Sequence, residues 1–453
     1  MMRLTGTGAS DLLQAAGMRT IEADRKAWLV DRALTALHSL GVPNNRPVNA
    51  WFVPGRLEVL GKHTDYAGGR SLLCAIERGC VIVAAGRDDS RIRIVDAADG
   101  SLVELTAATG SSDDGPAWSV YPTTVARRIA ANFPEARYGA DIAFESDLPA
   151  AAGMSSSSAL MIGVFFALAA ANGIESLPRY RSEIDSREDL AAYLATVENG
   201  HDFGSLAGGS GVGTFGGSED HTAILCCCAN EIAQYAFMPV RRESSLPFAG
   251  EYVFAIAASG VVAEKTGTAR AAYNDAAARA RRILELWQST TGRDQPSLAA
   301  VLAGDDSAAD RARRVLAKAG GGDAAKLRDR LDHFVEESER IIPEVSALIG
   351  AGRFDRIGPL VDRSQDLAER LLGNQVPETI ALARMARGIG AVASSSFGAG
   401  FGGSVWALVP AASADAFIRR WSADYHRSFP EAAEKASFFA TRPGPAALRL
   451  TQG

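Results

Sequence analysis

Three short stretches of the sequence carry residues that could do chemistry. The first is Leu148-Pro-Ala-Ala-Ala-Gly-Met-Ser-Ser-Ser-Ser-Ala-Leu160. Four consecutive serines suit the start of a helix better than its buried middle. The first N–H groups of a helix have no helical partner, and the helix dipole favours an anion at that end. Gly153 lets the backbone approach a phosphate. The hydroxyls of Ser155, Ser156 and Ser157 add donors or a magnesium ligand. The loop is not of the GxxxxGK[ST] type, since no lysine follows. The second stretch, Pro54-Gly-Arg-Leu-Glu-Val-Leu-Gly-Lys-His-Thr-Asp-Tyr-Ala-Gly-Gly69, gathers Arg56, Lys62, His63, Thr64 and Asp65. Such a set can hydrogen-bond a polyhydroxylated ligand, with Asp65 accepting from two hydroxyls and Arg56 facing a phosphate or carboxylate. The third, Ser394-Ser-Ser-Phe-Gly-Ala-Gly-Phe-Gly-Gly-Ser404, is glycine, alanine and serine apart from two phenylalanines, so it permits a close approach of backbone or ligand. Taken singly, each stretch also reads as plain structure: a serine N-cap, a polar loop, a tight turn.

These stretches need elements to hold them. An amphipathic helix is expected over about 21–40, then strands at 49–53, 79–85 and 92–95; the 79–85 run is apolar throughout, as a strand buried on both faces is. Residues 111–116 read as a loop, 118–132 as a helix and 139–144 as a strand. That strand feeds the serine loop, and 159–171 follows as an apolar helix. A helix at 188–197, a glycine-rich stretch at 204–217 and a strand at 221–228 complete the first part. The pattern breaks around 238–248, where a domain boundary is expected. A strand at 252–258, a long helical region over about 268–352 interrupted by glycines 320–322, and two apolar segments flanking the third motif make up the rest. Alternating strands and helices argue for α/β or α+β architecture.

The 453-residue chain is long enough for two or three domains of roughly 100–200 residues. Its formal net charge of −6, with no basic run, argues against a nucleic-acid partner. Five cysteines, three of them consecutive, make neither a disulfide framework nor a CxxC zinc site, and read as small buried hydrophobes. The N-terminus lacks the apolar core of a signal peptide, and no apolar run reaches the roughly 18 residues of a membrane span. A cytoplasmic protein without membrane partners is the expectation.

In this order and spacing the three motifs resemble the GHMP kinase superfamily, and within it galactokinase. Residues 54–69 look like the galactokinase signature Gly-Arg-x-x-x-x-Gly-Glu-His-Thr-Asp-Tyr. Residues 149–159 look like the ATP loop Pro-x-x-x-Gly-Leu-Ser-Ser-Ser-Ala, and 397–403 like Gly-x-Gly-Phe-Gly-Gly. Smaller likenesses lie at Trp118 to Tyr121, Asp220-His221 and Tyr273-Asn274. The resemblance implies a two-domain α+β GHMP kinase fold, with an N-terminal ribosomal-protein-S5-like domain over 1–240 and a C-terminal ferredoxin-like domain with helical additions over 241–453. It implies ATP and magnesium as cofactors, with Gly153, Ser155, Ser156 and Ser157 at the phosphates and Ser156 at the metal. Arg56, Lys62, His63, Asp65 and Tyr273 would lie at the sugar, with Arg56 taking part in the transfer. The reaction would move the γ-phosphoryl group of ATP onto a sugar hydroxyl, the anomeric one in galactokinases, chiefly by positioning and charge neutralisation.

The chain departs from the family twice. Lys62 stands where galactokinases have glutamate, and a lysine donates where that carboxylate accepts. It either meets an anionic sugar such as a uronic acid or turns outward to solvent. Galactokinases also carry Cys-Gly-x-Met-Asp-Gln, whose Asp is the proposed base. Counting without a gap from Glu198-Asn199 and from Asp220-His221 sets Ser210 at that position, and a neutral serine is a poor base. Transfer without a carboxylate base, replacement by Asp202, Glu219 or Asp65, and a sensor that binds ATP and sugar with weak turnover are the readings left open.

Overall fold

Strand β1 (Asn49–Leu60) is buried at every position but its first. Its alternate side chains enter two different cores, Trp51 and Val53 on one face, Ala50 and Phe52 on the other. This double burial requires layers on both sides of a sheet, and the computed structural model has them. It describes residues 5–106, 115–149, 152–248, 250–261, 267–304, 307–319 and 321–451. After β1 come β2 (Arg70–Gly86), β3 (Arg91–Asp96), β4 (Leu102–Thr106), β5 (Ala140–Ser146), and the hairpin β6 (Glu231–Ala236) and β7 (Arg241–Pro247). A second group comprises β8 (Tyr252–Ala258), β9 (Ala393–Phe397), β10 (Ser404–Pro410) and β11 (Ser437–Thr441), with β12 (Leu448–Arg449) last.

The first sheet has eight strands in the order β12-β1-β2-β5-β3-β4, with β6 also on β2 and β7 on β6. Only the β3–β5 pairing is parallel. Helices Gly6–Ala15 and Thr20–Ser39 cover one face. The apolar helix Ser156–Asn172 covers the other, and Gly163 allows it close to β2, since a Cβ there would lie 2.3 Å from Ile82 Cγ1. The second sheet is antiparallel, β11-β8-β10-β9. A core holding Leu57, Leu72, Ile256, Phe397 and Trp406 joins the two sheets. Helices Pro377–Gly388 and Ala414–Ser428 close the outer face of the second. The helical region between 267 and 350 is several segments, among them Gly267–Thr291, Ala324–Phe334 and the π-helical Val335–Ile341.

This is a mixed α+β fold with two sheets. The expected helices, and the strands expected at 92–95, 139–144 and 252–258, occur within a few residues of their sequence bounds, while β1 and β2 run well past the expected 49–53 and 79–85. One element is corrected: the expected strand at 221–228 is a helix, Glu219–Cys226. A short apolar run fits either state, and here it lies buried among the residues of the first core. The break at 238–248 holds a hairpin turn and β7, so the first sheet continues to Pro247. The expected loop at 111–116 lies mostly outside the described residues, as do the first of the three glycines at 320–322 and residues 150 and 151 of the serine loop. Among the described residues no helix is long and apolar enough to cross a membrane.

Candidate active site

The three motifs meet at one place. Helix Ser156–Asn172 points its N-terminus into a cavity of about 680 Å³. Ser155 caps it in the left-handed region (φ +60°), and its buried hydroxyl has no partner among the described residues. Gly153 (φ +73°) carries the chain in; a Cβ there would sit 3.6 Å from the Phe397 carbonyl oxygen of the third motif. The Arg56 backbone N–H donates to Met154 O at 3.3 Å, and its guanidinium donates to Gly153 O. From the second sheet, Ser404 Oγ donates to Ala152 O at 2.6 Å and Gly398 N–H to Glu58 Oε2 at 3.1 Å. Residues of both sheets therefore fix the serine loop.

The cavity has two characters. One end is lined by Trp118, Tyr121, Phe144 and Leu160, an apolar slot for a flat ring, with Trp118 and Phe144 edge to face at 5.2 Å. The other is polar and lined by Arg56, Glu58, His63, Asp65, Glu219, Asp220 and Tyr273. Ser155, Ser156 and Ser157 lie on the wall of the same cavity, where backbone amides and hydroxyls can receive phosphates.

Ser210 is not part of this site. It is exposed on the glycine-rich loop and does not line the cavity. That loop folds back on the preceding helix end: Gly209 N–H donates to Gly200 O at 3.0 Å and Val212 N–H to Glu198 O at 2.8 Å. Asp202 is also exposed and caps Gly208 N–H at 2.6 Å. Among the acids on the cavity wall, Asp220 is the one paired with Arg56: its Oδ1 accepts from Arg56 Nε at 2.8 Å. It lies in the first turn of helix Glu219–Cys226, where the helix dipole favours a carboxylate. Gly217-Ser-Glu-Asp220 shares the glycine and the aspartate of the family's Gly-x-Met-Asp, with Glu219 in place of the methionine, when the surface loop is allowed to absorb the difference. Sequence reasoning saw Asp220 only as a minor likeness and passed over Glu58 and Glu198. Two acids just after the glycine pair Gly216-Gly217 were the available signal.

Lys62 is likewise corrected. It points neither to solvent nor into the cavity. It is buried, and Nζ donates to Ser395 Oγ at 2.8 Å and Ser364 Oγ at 3.3 Å. Its neighbour His63 does reach the cavity, in the left-handed region (φ +59°). The His63 imidazole bonds Tyr66 OH at 2.9 Å and Ala399 O at 3.0 Å, and the Tyr273 ring lies 5.0 Å away. Burial first, then nearby Arg330 and Lys62, push His63 down to about 4, so it is neutral at pH 7.

The acids move the other way. Burial raises Asp65 to about 6, with the Glu219 backbone N–H opposing the rise through a 3.1 Å bond to Oδ2. Burial raises Glu58 to about 7 against the pull of Lys62 and Arg56. Glu219 is pushed well above the carboxylate range by burial and by Glu58 and Asp65. Magnesium takes hard oxygen ligands and is commonly held by one or two protein groups together with phosphates. The Ser156 hydroxyl and the Glu198 carboxylate, both on the cavity wall, fit that donor set. Glu198 also accepts from Ser158 Oγ at 3.0 Å, which fixes it beside the serine loop.

Comparison with known proteins agrees with this geometry. Residues 42–86 match the galactokinase galactose-binding signature, 121–212 the N-terminal domain of GHMP kinases and 345–427 their C-terminal domain. A galactokinase of Streptomyces coelicolor is 28% identical over 380 residues, 82% of this chain and 87% of its own. One of Enterococcus faecalis is 28% identical over 392 residues, 85% of this chain and 91% of its own. The crystal structure of Lactococcus lactis galactokinase complexed with galactose superposes with a TM-score of 0.74 at 22% identity, covering 92% of this chain and 99% of that one. With both GHMP kinase domains and the sugar signature in one chain, and the three motifs gathered round one cavity, the protein carries the domains of the GHMP kinases and is similar to galactokinases over most of its length.

Proposed function

We propose that the protein transfers the γ-phosphoryl group of ATP to a hydroxyl of a neutral sugar, the anomeric one by analogy with galactokinases. The observation that carries this is the Arg56–Asp220 pair, set between the serine-rich helix start and the polar end of the cavity. The nucleobase would occupy the slot of Trp118, Tyr121 and Phe144, and the phosphates the N-terminus of helix Ser156–Asn172. Asp220 would orient the attacking hydroxyl and receive its proton as the bond to phosphorus forms. Arg56 would orient Asp220 through its 2.8 Å bond and face the charge that develops on the transferring group. Asp65, His63 and Tyr273 would hold the remaining hydroxyls. When bound through Ser156 and Glu198, magnesium would supply charge neutralisation at the phosphates.

Lys62 gives no support for an anionic sugar, because its ammonium is spent on two serines. The polar end carries Glu58, Asp65, Glu219 and Asp220, carboxyl groups suited to bonding hydroxyls, and among its described lining residues the cation is Arg56, already paired with Asp220. A catalytically weak sensor rests on Ser210 and Lys62; Asp220 on the cavity wall and the bonds of Lys62 to Ser364 and Ser395 support the kinase reading instead. Sugar-dependent ADP release over a panel of neutral sugars and uronic acids tests the reading. Turnover is expected with a neutral hexose, with a loss of about 10²–10⁴ in kcat for Asp220→Asn and little change for Ser210→Ala. Faster turnover of galacturonate than of galactose, or full activity in Asp220→Asn, would overturn it.

A further inference from the structure

Arg330 is fully buried, yet among the described residues every hydrogen-bond partner of its guanidinium is neutral. Nε donates to Ala276 O at 3.4 Å, Nη1 to His333 Nδ1 at 3.3 Å, and Nη2 to His63 O and to Tyr66 OH, the latter at 3.3 Å. A buried cation without a carboxylate is costly, and an apolar side chain would fill the space without that cost. What an apolar residue could not do is tie two other segments to its own helix by donated hydrogen bonds. Ala276 lies on helix Gly267–Thr291, which also carries Tyr273. His63 and Tyr66 lie in the turn after β1, and Arg330 itself comes from helix Ala324–Phe334 of the second half.

The direction of the bonds carries the inference. A guanidinium can only donate, so Tyr66 OH must accept from Arg330 and spend its own proton on His63 Nδ1. Ala399 O can only accept, so the His63 proton sits on Nε2. The series runs Arg330 to Tyr66 to His63 to Ala399, and it ends on the glycine-rich third motif. The same guanidinium holds the His63 carbonyl while that residue stays in the left-handed region. We propose that Arg330 is a positioning residue for the sugar end of the site: it fixes the orientation and the tautomer of His63 and ties that residue to the helix bearing Tyr273. It does not line the cavity and so acts through His63, Tyr66 and Tyr273.

This rests on the sugar-kinase reading, and two measurements keep the two ideas apart. Steady-state kinetics of Arg330→Met should show the sugar KM raised about tenfold or more, with the ATP KM unchanged and kcat within about threefold. Arg330→Lys, which can still donate to the His63 carbonyl, should recover part of the loss. If either variant melts earlier but keeps both KM values, Arg330 is only structural and the proposal is overturned. Nitrogen-15 NMR of the His63 imidazole in the ligand-free protein needs no turnover. The wild type should show the proton on Nε2, and Arg330→Met a mixture of tautomers. An unchanged spectrum overturns the proposal. A wild type that turns over no sugar defeats the proposed function instead, while the NMR comparison still decides the role of Arg330.

Discussion

Asp65 shows what a carboxylate buried in the cavity wall costs the fold. Its carboxyl is raised to about 6, chiefly by burial, against roughly 3.9 for an exposed aspartate. Between those values the folded chain holds a proton that the unfolded chain has lost. Asp65 therefore contributes stability at low pH that is lost as pH rises through the window from about 4 to about 6. The effect is of order 2–3 kcal/mol at most. Thermal melts of the ligand-free protein between pH 4 and 8 should show Asp65→Asn losing that part of the decline; identical profiles would exclude it. Asp65, Arg56, His63 and Tyr273 were all legible in the sequence, because their types and order survive in the motifs. Ser210 was misassigned because a gap-free count took a surface loop for part of the site. The burial of Lys62 was not legible, since Ser364 and Ser395 are distant in sequence and only tertiary packing brings them to its ammonium.

At the scale of elements, the serine loop shows why a glycine matters more than the serines around it. Gly153 has φ +73°, where a β-branched side chain is strained by roughly 1–2 kcal/mol. The segment cannot relax freely, because Arg56 holds the Gly153 and Met154 carbonyls and Ser404 the Ala152 carbonyl. Gly153→Val is therefore expected to weaken nucleotide binding about tenfold or more while leaving the sugar KM nearly unchanged, as titration with an ATP analogue would show. An unaltered nucleotide affinity would mean the loop does not hold the phosphates. The helix after this loop was readable from its serine cap and long apolar run. Helix Glu219–Cys226 was not, because eight residues buried on every turn show no helical period.

At the scale of the molecule, the chain does not build its first sheet in order. Strand β12 pairs with β1 through Trp51–Arg449 and Phe52–Leu448, and the Leu450 N–H donates to Ala50 O at 2.8 Å. Just before it, Gly444 N–H donates to Ala75 O at 2.8 Å and Ala447 N–H to Ile224 O at 2.8 Å. A two-residue strand has no pattern to read, so this return was invisible in the sequence, whereas β3, β5, β8 and parts of β1 and β2 were legible as short strand runs. Removing residues 443–453 should expose the edge of β1 and lower the melting temperature by several degrees, with more aggregation on heating. A truncated protein that melts like the full chain would mean the strap adds nothing. The consequence of β12 is one of timing. Arg449 meets Asn49 across 400 residues, so a ribosome making the protein has β1 outside long before its neighbour exists. At about 5–20 residues per second that edge waits on the order of 20–80 seconds, and chaperone occupancy of nascent chains is the place to see it.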